Sequence, residues 1–560
     1  MHTTLSNFDW GQAAKAWGLV VLIASVVGYF LASLRAGLAR GSLIDGFVAT
    51  AGGVIELFRD MTAFSWRRIW ALAWHSVLES VRRRMLLAVF VIVAVVFMFG
   101  GWFLESRPTE QVKIYVSFVM LAATLTAIPA GGLLACLSLP SDIRDKTIHT
   151  VVTKPVRRLE IIVGRTLGLT IVITVFLFVM GVFSYVYMRR SVGGSLDELQ
   201  QKVAEAKKKG DTRYEAELTD SIEQINGKLT ARIPVFATEL FGPNKNVGFE
   251  SSYRLFIEGN SPDAAVWVFD NVPAERILAA GSIPLEMLFA VFRTYKGEVG
   301  RGVLAQITYT NPATRRQITD YPFEVREYYV IQRALDGAPD PGRIYVDNGQ
   351  ALPEPPAKPL EWLLDKNNGQ LLVEVRCLSG AQYLGMAHSD LYILFSTASF
   401  GVNFLKGMVG VWLRVMLIVC VAVMFSTFLS SYVAMLATAG VFVGGLCMTY
   451  LRNVAQGRAR GGGPLEAAIR LVTHDNLERP LDEGLWTDLV KGSDLGLQWI
   501  LRGLTHLLPD LGLFNTAPLV ANGFDISAGL LLTNCAVAAA YAIPVMIAAY
   551  FLLQAREIAR

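Results

Sequence analysis

The stretch SDIRDKTIHTVVTKPVRRLEIIVGR, residues 141–165, decides the fold. It carries six Lys or Arg and three Asp or Glu. An uncharged run of 26 residues, Ile114–Leu139, ends just before it, and another of 22, Leu167–Met188, begins just after it. Uncharged runs of 18 or more residues have the length of a membrane-crossing helix, since about 20 residues at about 1.5 Å of rise span a hydrocarbon layer of about 30 Å. A short basic loop between two such runs is therefore held against one face of a bilayer, and basic loops stay on the cytoplasmic face.

The rest of the chain has the same character. Of its 560 residues 53% are hydrophobic and 18% charged, too apolar a balance for a soluble protein of this size. Further membrane-length runs are Trp17–Leu34, Met85–Leu104 and Ile526–Leu553. Val415–Leu451 is 37 residues long, too long for one ordinary span. With the apolar residues before it, it reads as two helices meeting near Ser430–Ser431, for seven spans in all. The alternative, one long tilted helix, would exchange the sides of everything after it. The first run has no basic segment ahead of it beyond Lys15, so it reads as a span and not as a cleaved secretion signal.

Charge sets the expected orientation. Residues 35–84 hold eight Lys or Arg, whereas the connector 105–113 has two, balanced by two acids. Residues 35–84 and 141–165 are thus expected in the cytoplasm, with the amino terminus, 189–400 and 452–525 outside and the tail carrying Arg556 and Arg560 inside. Arg452, Arg458 and Arg460 run against this pattern. The net charge of +4 sits largely in the cytoplasmic loops and gives no sign of a nucleic-acid partner. Of the five cysteines, Cys136, Cys420, Cys447 and Cys535 lie in or beside spans, and Cys377 is alone in the external region, where no internal disulfide can form.

The expected fold class is an α-helical polytopic membrane protein of about seven transmembrane helices with an inserted α+β extracytoplasmic domain, a helical hairpin plus a β-sandwich. Residues 1–40 form an extra amino-terminal span. Residues 41–84 are a cytoplasmic segment ending in SWRRIWALAWHSVLESVRRR (65–84), where Trp66, Ile69, Trp70, Ala73, Trp74 and Val77 recur at helical spacing. Tryptophans and arginines on one amphipathic helix favour the membrane interface. Residues 85–188 hold three core spans with the loop 140–166 between the second and third. Residues 189–400 are the external insert, 401–451 two spans, 452–525 an external or interfacial segment, and 526–560 the last span and a cytoplasmic tail.

Within the insert, Ser195 and Glu198 have capping-box spacing, and Gly210–Asp211 divides two apolar stripes into a helical hairpin over 195–229. From about 250 to 385 the pattern changes to period two. YRLFIE, AVWVF, MLFAVFRTY, VLAQITYT, FEVREYYVI, RIYV and QLLVEVRCL read as strands between Gly, Pro, Asn and Asp punctuation. Seven or more short strands suggest a sandwich.

The loop also carries a family-like pattern. Asp142 and Asp145 precede Lys146-Thr147-Ile148; VVTKPVRR follows at 151–158, with Pro155, Val156 and Arg158; Gly164-Arg165 enters the next span. Together with the helix before the second span, this makes residues 65–188 and the last 160 residues resemble the permease subunit of a type-2 ABC (ATP-binding cassette) transporter. Lys146 stands where that family has glycine. The resemblance implies a coupling helix that docks on a cytoplasmic ABC ATPase, a second permease half (the same chain or a different one), and a place in the cell (inner or plasma) membrane. The residues fit such a role. Asp142, Arg144, Asp145, Lys146 and Thr147 would face the ATPase, Pro155 would end the short helix, and Arg157 and Arg158 would hold the return at the lipid headgroups.

Chemistry of its own is missing from the sequence. No G-x-x-x-x-G-K-[ST] phosphate loop occurs, and no H-E-x-x-H, C-x-x-C or G-x-S-x-G motif. The six histidines are scattered. The chain is therefore expected not to be an enzyme and to need no cofactor or metal. Within the fifth expected span, Lys406 and Arg414 are eight residues apart, roughly on one helix face. Lys406 is expected to snorkel at the outer edge. Arg414, deeper, is a candidate for lining a translocation path, the alternatives being a structural ion pair or an interfacial position. The runner-up function is a non-transporting membrane scaffold or sensor with an external β-domain.

Overall fold

The computed structural model describes residues 10–40, 42–82, 108–144, 156–242, 254–270, 272–293, 302–325, 327, 329–364, 369–458, 462–474, 476 and 485–555. The chain divides into two compact units, one of residues 1–229 with 399–560 and one of residues 230–398.

The first unit is helical. Its main elements are α1 (Trp10–Arg40), α2 (Leu43–Thr62), α3 (Trp66–Arg82), α4 (Pro108–Arg144), α5 (Arg158–Lys209), α6 (Thr212–Lys228), α7 (Phe400–Phe428), α8 (Ser431–Leu446), α9 (Met448–Ala455), α10 (Pro464–Thr473), α11 (Leu485–Leu507) and α12 (Ala528–Ala555). Among the described residues five helices, α1, α4, α5, α7 and α12, are long and apolar enough to cross a bilayer, and α8 with α9, bent by 73°, makes a sixth if the pair is one span. The expected span Met85–Leu104 lies outside the described residues. Val175, Phe178 and Phe183 on α5 and Leu121 on α4 are each more than half exposed. Apolar side chains spread in this way over long helices belong against lipid. The chain is a multi-pass membrane protein with a β-rich region.

Burial separates the roles of the spans. The apolar window of α7 is 72% buried, that of α1 only 6%. Accordingly α7 is the centre of the bundle, where Val415, Ile418, Val419 and Ala422 pack in one cluster with Val116 and Ala123 of α4 and Leu169 and Ile173 of α5.

Polar bonds fix the path of the carboxyl-terminal half. Asn403 donates through Nδ2 to the Phe524 carbonyl (2.8 Å) and accepts at Oδ1 from the Ile526 amide (2.9 Å). Lys406 Nζ donates to Asp525 Oδ1 (2.8 Å) and to the Ile526 carbonyl (2.9 Å). The first turns of α7 are thereby tied to the residues just before α12. Farther along, Leu413 and Leu417 share a buried cluster with Ala538 of α12. The two helices start at one end of the unit and run parallel, so the chain must travel back between them. The break between Phe428 and Ser431 provides the reversal and favours two helices over one in the run 415–451. The Lys406 ammonium, expected at the outer edge of its span, is held by an acid and a carbonyl.

The hairpin expected over 195–229 begins differently. There is no helix start at Ser195, because α5 runs unbroken for 52 residues. The Ser195 hydroxyl bonds the Ser191 carbonyl (3.2 Å) and Gln111 Oε1 (2.9 Å), so it supports a continuing helix instead of capping a new one. The break at Gly210–Asp211 is as expected: Gly210 closes α5 at φ +71°, and Asp211 accepts from the Tyr214 amide at the start of α6. Lys228, at the end of α6, returns to the start of α4 and donates to the Thr109 carbonyl (2.7 Å) and Glu110 (2.9 Å). Residues 189–229 thus pack with the helical unit, and the β-rich unit begins at 230.

The second unit is β-rich. Among the described residues its strands form three sheets, of eight, four and three strands, over one apolar core that includes Trp267, Phe269, Phe289 and Tyr309. Each expected strand segment contains a strand, but MLFAVFRTY and FEVREYYVI each split in two, at Phe289 and before Val330. In the four-stranded sheet the order is Thr230–Phe236, Leu391–Ser399, Ser282–Leu288, Val330–Asp336. One buried carboxylate ties all four. Glu286 accepts from Arg232 Nη1 (2.9 Å), Gln332 Nε2 (2.9 Å) and the Tyr392 hydroxyl (2.5 Å). Burial, then the Glu286 charge, push the Tyr392 phenol well above its ordinary range.

The chain enters and leaves this unit on neighbouring strands, Thr230–Phe236 and Leu391–Ser399. Residues 230–398 expressed alone are therefore expected to be soluble, with a strand-dominated circular dichroism spectrum and cooperative unfolding. A fragment from 192 would carry α6 away from its Glu110 partner and should be the less stable of the two. The reverse order, or an aggregated 230–398 fragment, would show that the unit does not fold alone.

Candidate functional site

The described residues nearest the opening loop are its two ends. At the first end α4 continues through Pro140 to Arg144, so Asp142 and Arg144 belong to the last turn of a spanning helix. Their side chains, and Asp145, Lys146, Thr147 and Pro155 entirely, lie outside the described residues.

The second end is built of interlocked charges. Arg157 has an extended backbone (φ −86°, ψ 152°) and caps α5, its amide donating to Glu160 Oε2 at 3.0 Å. Glu160 is fully buried. Its Oε1 accepts from Arg68 Nε (3.0 Å), Arg68 Nη2 (2.8 Å) and the Ser65 amide (2.8 Å). A buried carboxylate is tolerated only when paired and hydrogen-bonded in this way. The pairing fixes the start of α3 on the start of α5.

Glycines complete the contact. The span begins Gly164-Arg165-Thr166-Leu167-Gly168, a small-x-x-x-small spacing that places both glycines on one helix face. A Cβ on Gly168 would lie 2.4 Å from the Ala73 carbonyl oxygen, and one on Gly164 would lie 2.7 Å from Leu72 Cβ. The backbones of α3 and α5 approach so closely that no side chain fits between them. Ile69, Ala73, Ser76 and Ser80 are the buried face of α3, while Trp66, Trp70 and Trp74 stay more than half exposed. The tryptophans face away from the bundle, as an interfacial helix requires.

Two more helices join. Arg157 Nη1 donates to Asp60 Oδ1 (3.0 Å) and to the Arg59 carbonyl (2.7 Å) of α2, and Arg158 pairs with Glu56 (3.3 Å). The same acids reach α12: Asp60 Oδ2 accepts from the Tyr550 hydroxyl (3.3 Å) and Glu56 Oε2 from Gln554 Nε2 (2.9 Å). Deeper in α5, Arg165 pairs with Glu79 of α3 (3.6 Å) and bonds Ser138 of α4. Arg157 and Arg158, expected at the lipid headgroups, are thus each committed to a carboxylate of α2. The half-exposed Arg158–Glu56 pair contributes little, about 0–1 kcal/mol at most; the Glu160 bonds matter far more.

The arrangement is mechanical in kind. It makes the loop exit, α2, α3 and the end of α12 move as one block. Among the described residues no group of three or more His, Cys, Asp or Glu is placed to hold a metal ion. Arg414 is not part of this block: it is buried within α7. Glu56, Asp60, Glu160 and Gly168 had no place in the sequence-based expectations, and Gly164 entered them only through the Gly164-Arg165 pair. Only the glycine spacing was visible as a local signal, because the acids act on partners about 90 to 500 positions away. Compared with known protein families, curated proteins and solved structures, the chain matches none.

Proposed function

We propose that the chain is the membrane-spanning permease subunit of an ATP-driven transporter of the ABC type, coupling a separate cytoplasmic ATPase to substrate movement. On this reading it has seven spans, residues 35–84 and 141–165 face the cytoplasm, residues 230–398 lie outside, and a second permease half completes the pathway in the cell membrane. The observation that carries the reading is the buried Glu160–Arg68 contact with the glycine seam behind it. A loop pushed by an ATPase must pass displacement to the spans without slack, and this joint leaves none between α3 and α5. The family-like sequence of the loop and the lack of a phosphate loop in the chain point the same way.

The test is co-purification from the native membrane followed by mass spectrometry. An ABC ATPase is expected to accompany the chain. Reversing both Asp142 and Asp145 to lysine is expected to lower that association at least tenfold while membrane insertion persists, since each charge-assisted contact is worth about 1.5–3 kcal/mol. Insertion together with undiminished ATPase association would reduce the loop to a basic connector. Purification with no ATPase at all would favour the scaffold or sensor.

A further inference from the structure

We infer that Arg414 is the binding point for an anionic group, a phosphate or carboxylate, brought into the bundle by a ligand. Arg414 is only 7% exposed, its Nε is buried without a hydrogen-bond partner, and no described residue forms an ion pair with it. A guanidinium stays charged under all ordinary conditions, and an uncompensated charge at membrane depth is among the costliest groups a helix can carry. Three other cations of this half are each paired with an acid. Lys406 is paired with Asp525, Arg452 with Asp510 and Arg470 with Glu466.

The two acids on the segment packed along α7 are already paired, Asp525 with Lys406 and Asp510 with Arg452. The runs 17–34, 85–104, 114–139, 167–188, 415–451 and 526–553 contain no Asp or Glu at all. A second copy of the same chain would bring the same uncharged runs. These runs and the described acids therefore leave the Arg414 charge unbalanced.

A second donor stands at the same depth. Asn534 of α12 is 4% exposed and its Nδ2 has no hydrogen-bond partner. Lys406 bonds the Ile526 carbonyl where the parallel helices α7 and α12 begin. Arg414 and Asn534 each lie eight residues beyond that bond, about 12 Å farther along. Both groups offer N–H donors, and a guanidinium has no acceptor atom, so the pair suits an oxyanion. One turn before Arg414 the face of α7 is closely packed: a Cβ on Gly410 would lie 2.6 Å from Thr516 Oγ1, and Thr516 donates to the Gly407 carbonyl (3.2 Å). That the anion is transported cargo rests on the permease reading; the anion site itself does not.

The experiment follows thermal unfolding of the full chain in uncharged maltoside micelles. Dodecyl phosphate is the lipid-borne probe and inorganic phosphate the free one. The expected result is that an anion raises Tm by several degrees, that Arg414→Gln weakens the response at least tenfold, and that Arg414→Lys keeps part of it. Without anion, Arg414→Met should unfold at or above the wild-type temperature, because it removes a charge that no described residue balances. A response to dodecyl phosphate alone assigns an anionic amphiphile, and a response to both probes assigns the free anion. No shift with either probe, an equal shift in wild type and Arg414→Gln, or a clear fall in Tm for Arg414→Met would overturn the inference. The chain is measured alone, so failure here leaves the ATPase co-purification result standing, and failure there leaves this one.

Discussion

Glu160→Ala is expected to cost the protein most of its stable, monodisperse population in detergent. The substitution leaves the Arg68 guanidinium without its carboxylate and removes the acceptor of the Ser65 and Arg157 amides. Breaking a buried ion pair from one side costs about 3–5 kcal/mol, a large share of the about 5–15 kcal/mol that holds a typical domain together. Glu160→Gln keeps the shape and one acceptor oxygen and should fall between wild type and alanine. Replacing both partners with apolar residues, Glu160→Leu with Arg68→Leu, should be less harmful than Glu160→Ala alone, because no charge is left stranded. Size-exclusion profiles and Tm of the four proteins decide the matter. Equal Tm for wild type and Glu160→Ala would mean that this joint is not closed.

Gly168→Leu should have the second large effect, by a different route. A side chain at 168 meets the Ala73 carbonyl oxygen, which belongs to a helix backbone and cannot rotate away. The helix α3 must lift off α5, which also strains the Glu160 contact one turn beyond Gly164. Overpacking ordinarily costs about 1–3 kcal/mol, and a rigid backbone neighbour puts this site at the upper end or above. Gly164→Ala should be milder than Gly168→Ala, since its nearest backbone atom, the Ile69 carbonyl oxygen, is 3.1 Å from the new Cβ instead of 2.4 Å. On the permease reading, a Gly168→Leu chain that still binds its ATPase should hydrolyse ATP without transport. Unchanged Tm and normal transport would show that α3 is free to slide.

The long-period features were legible in the sequence. Uncharged runs marked α1, α4, α5, α7 and α12, the Trp66–Trp70–Trp74 stripe marked α3, and period-two segments marked the strands, because each of these signals is local and repeats. The limits of α5 were not legible. Gly193, Gly194 and Ser195 look like a helix boundary, yet the hydroxyl of Ser195 finds Gln111 of α4, a partner no local window contains. The joint failed to appear for the same reason. Glu160 follows Arg157 and Arg158 in sequence and reads as their neighbour, whereas its two strongest bonds come from Arg68 and Ser65. The partner of Lys406 was not legible either, because Asp525 lies more than a hundred residues away.

The length of α5 has its own implication. Fifty-two residues of uninterrupted helix measure about 78 Å, more than twice the about 30 Å of a hydrocarbon layer. The rod starts at Arg158, at the exit of the opening loop, and ends at Lys209. On the permease reading, such a rod would act as a lever driven from the loop. A tilt of about 5° at Arg158 would sweep the Lys209 end through about 7 Å, by simple proportion to the rod's length. Small strokes on one face of the membrane would thus become movements of molecular size well beyond the other, with α6 and its Lys228 tether to Glu110 folding that amplitude back toward the bundle.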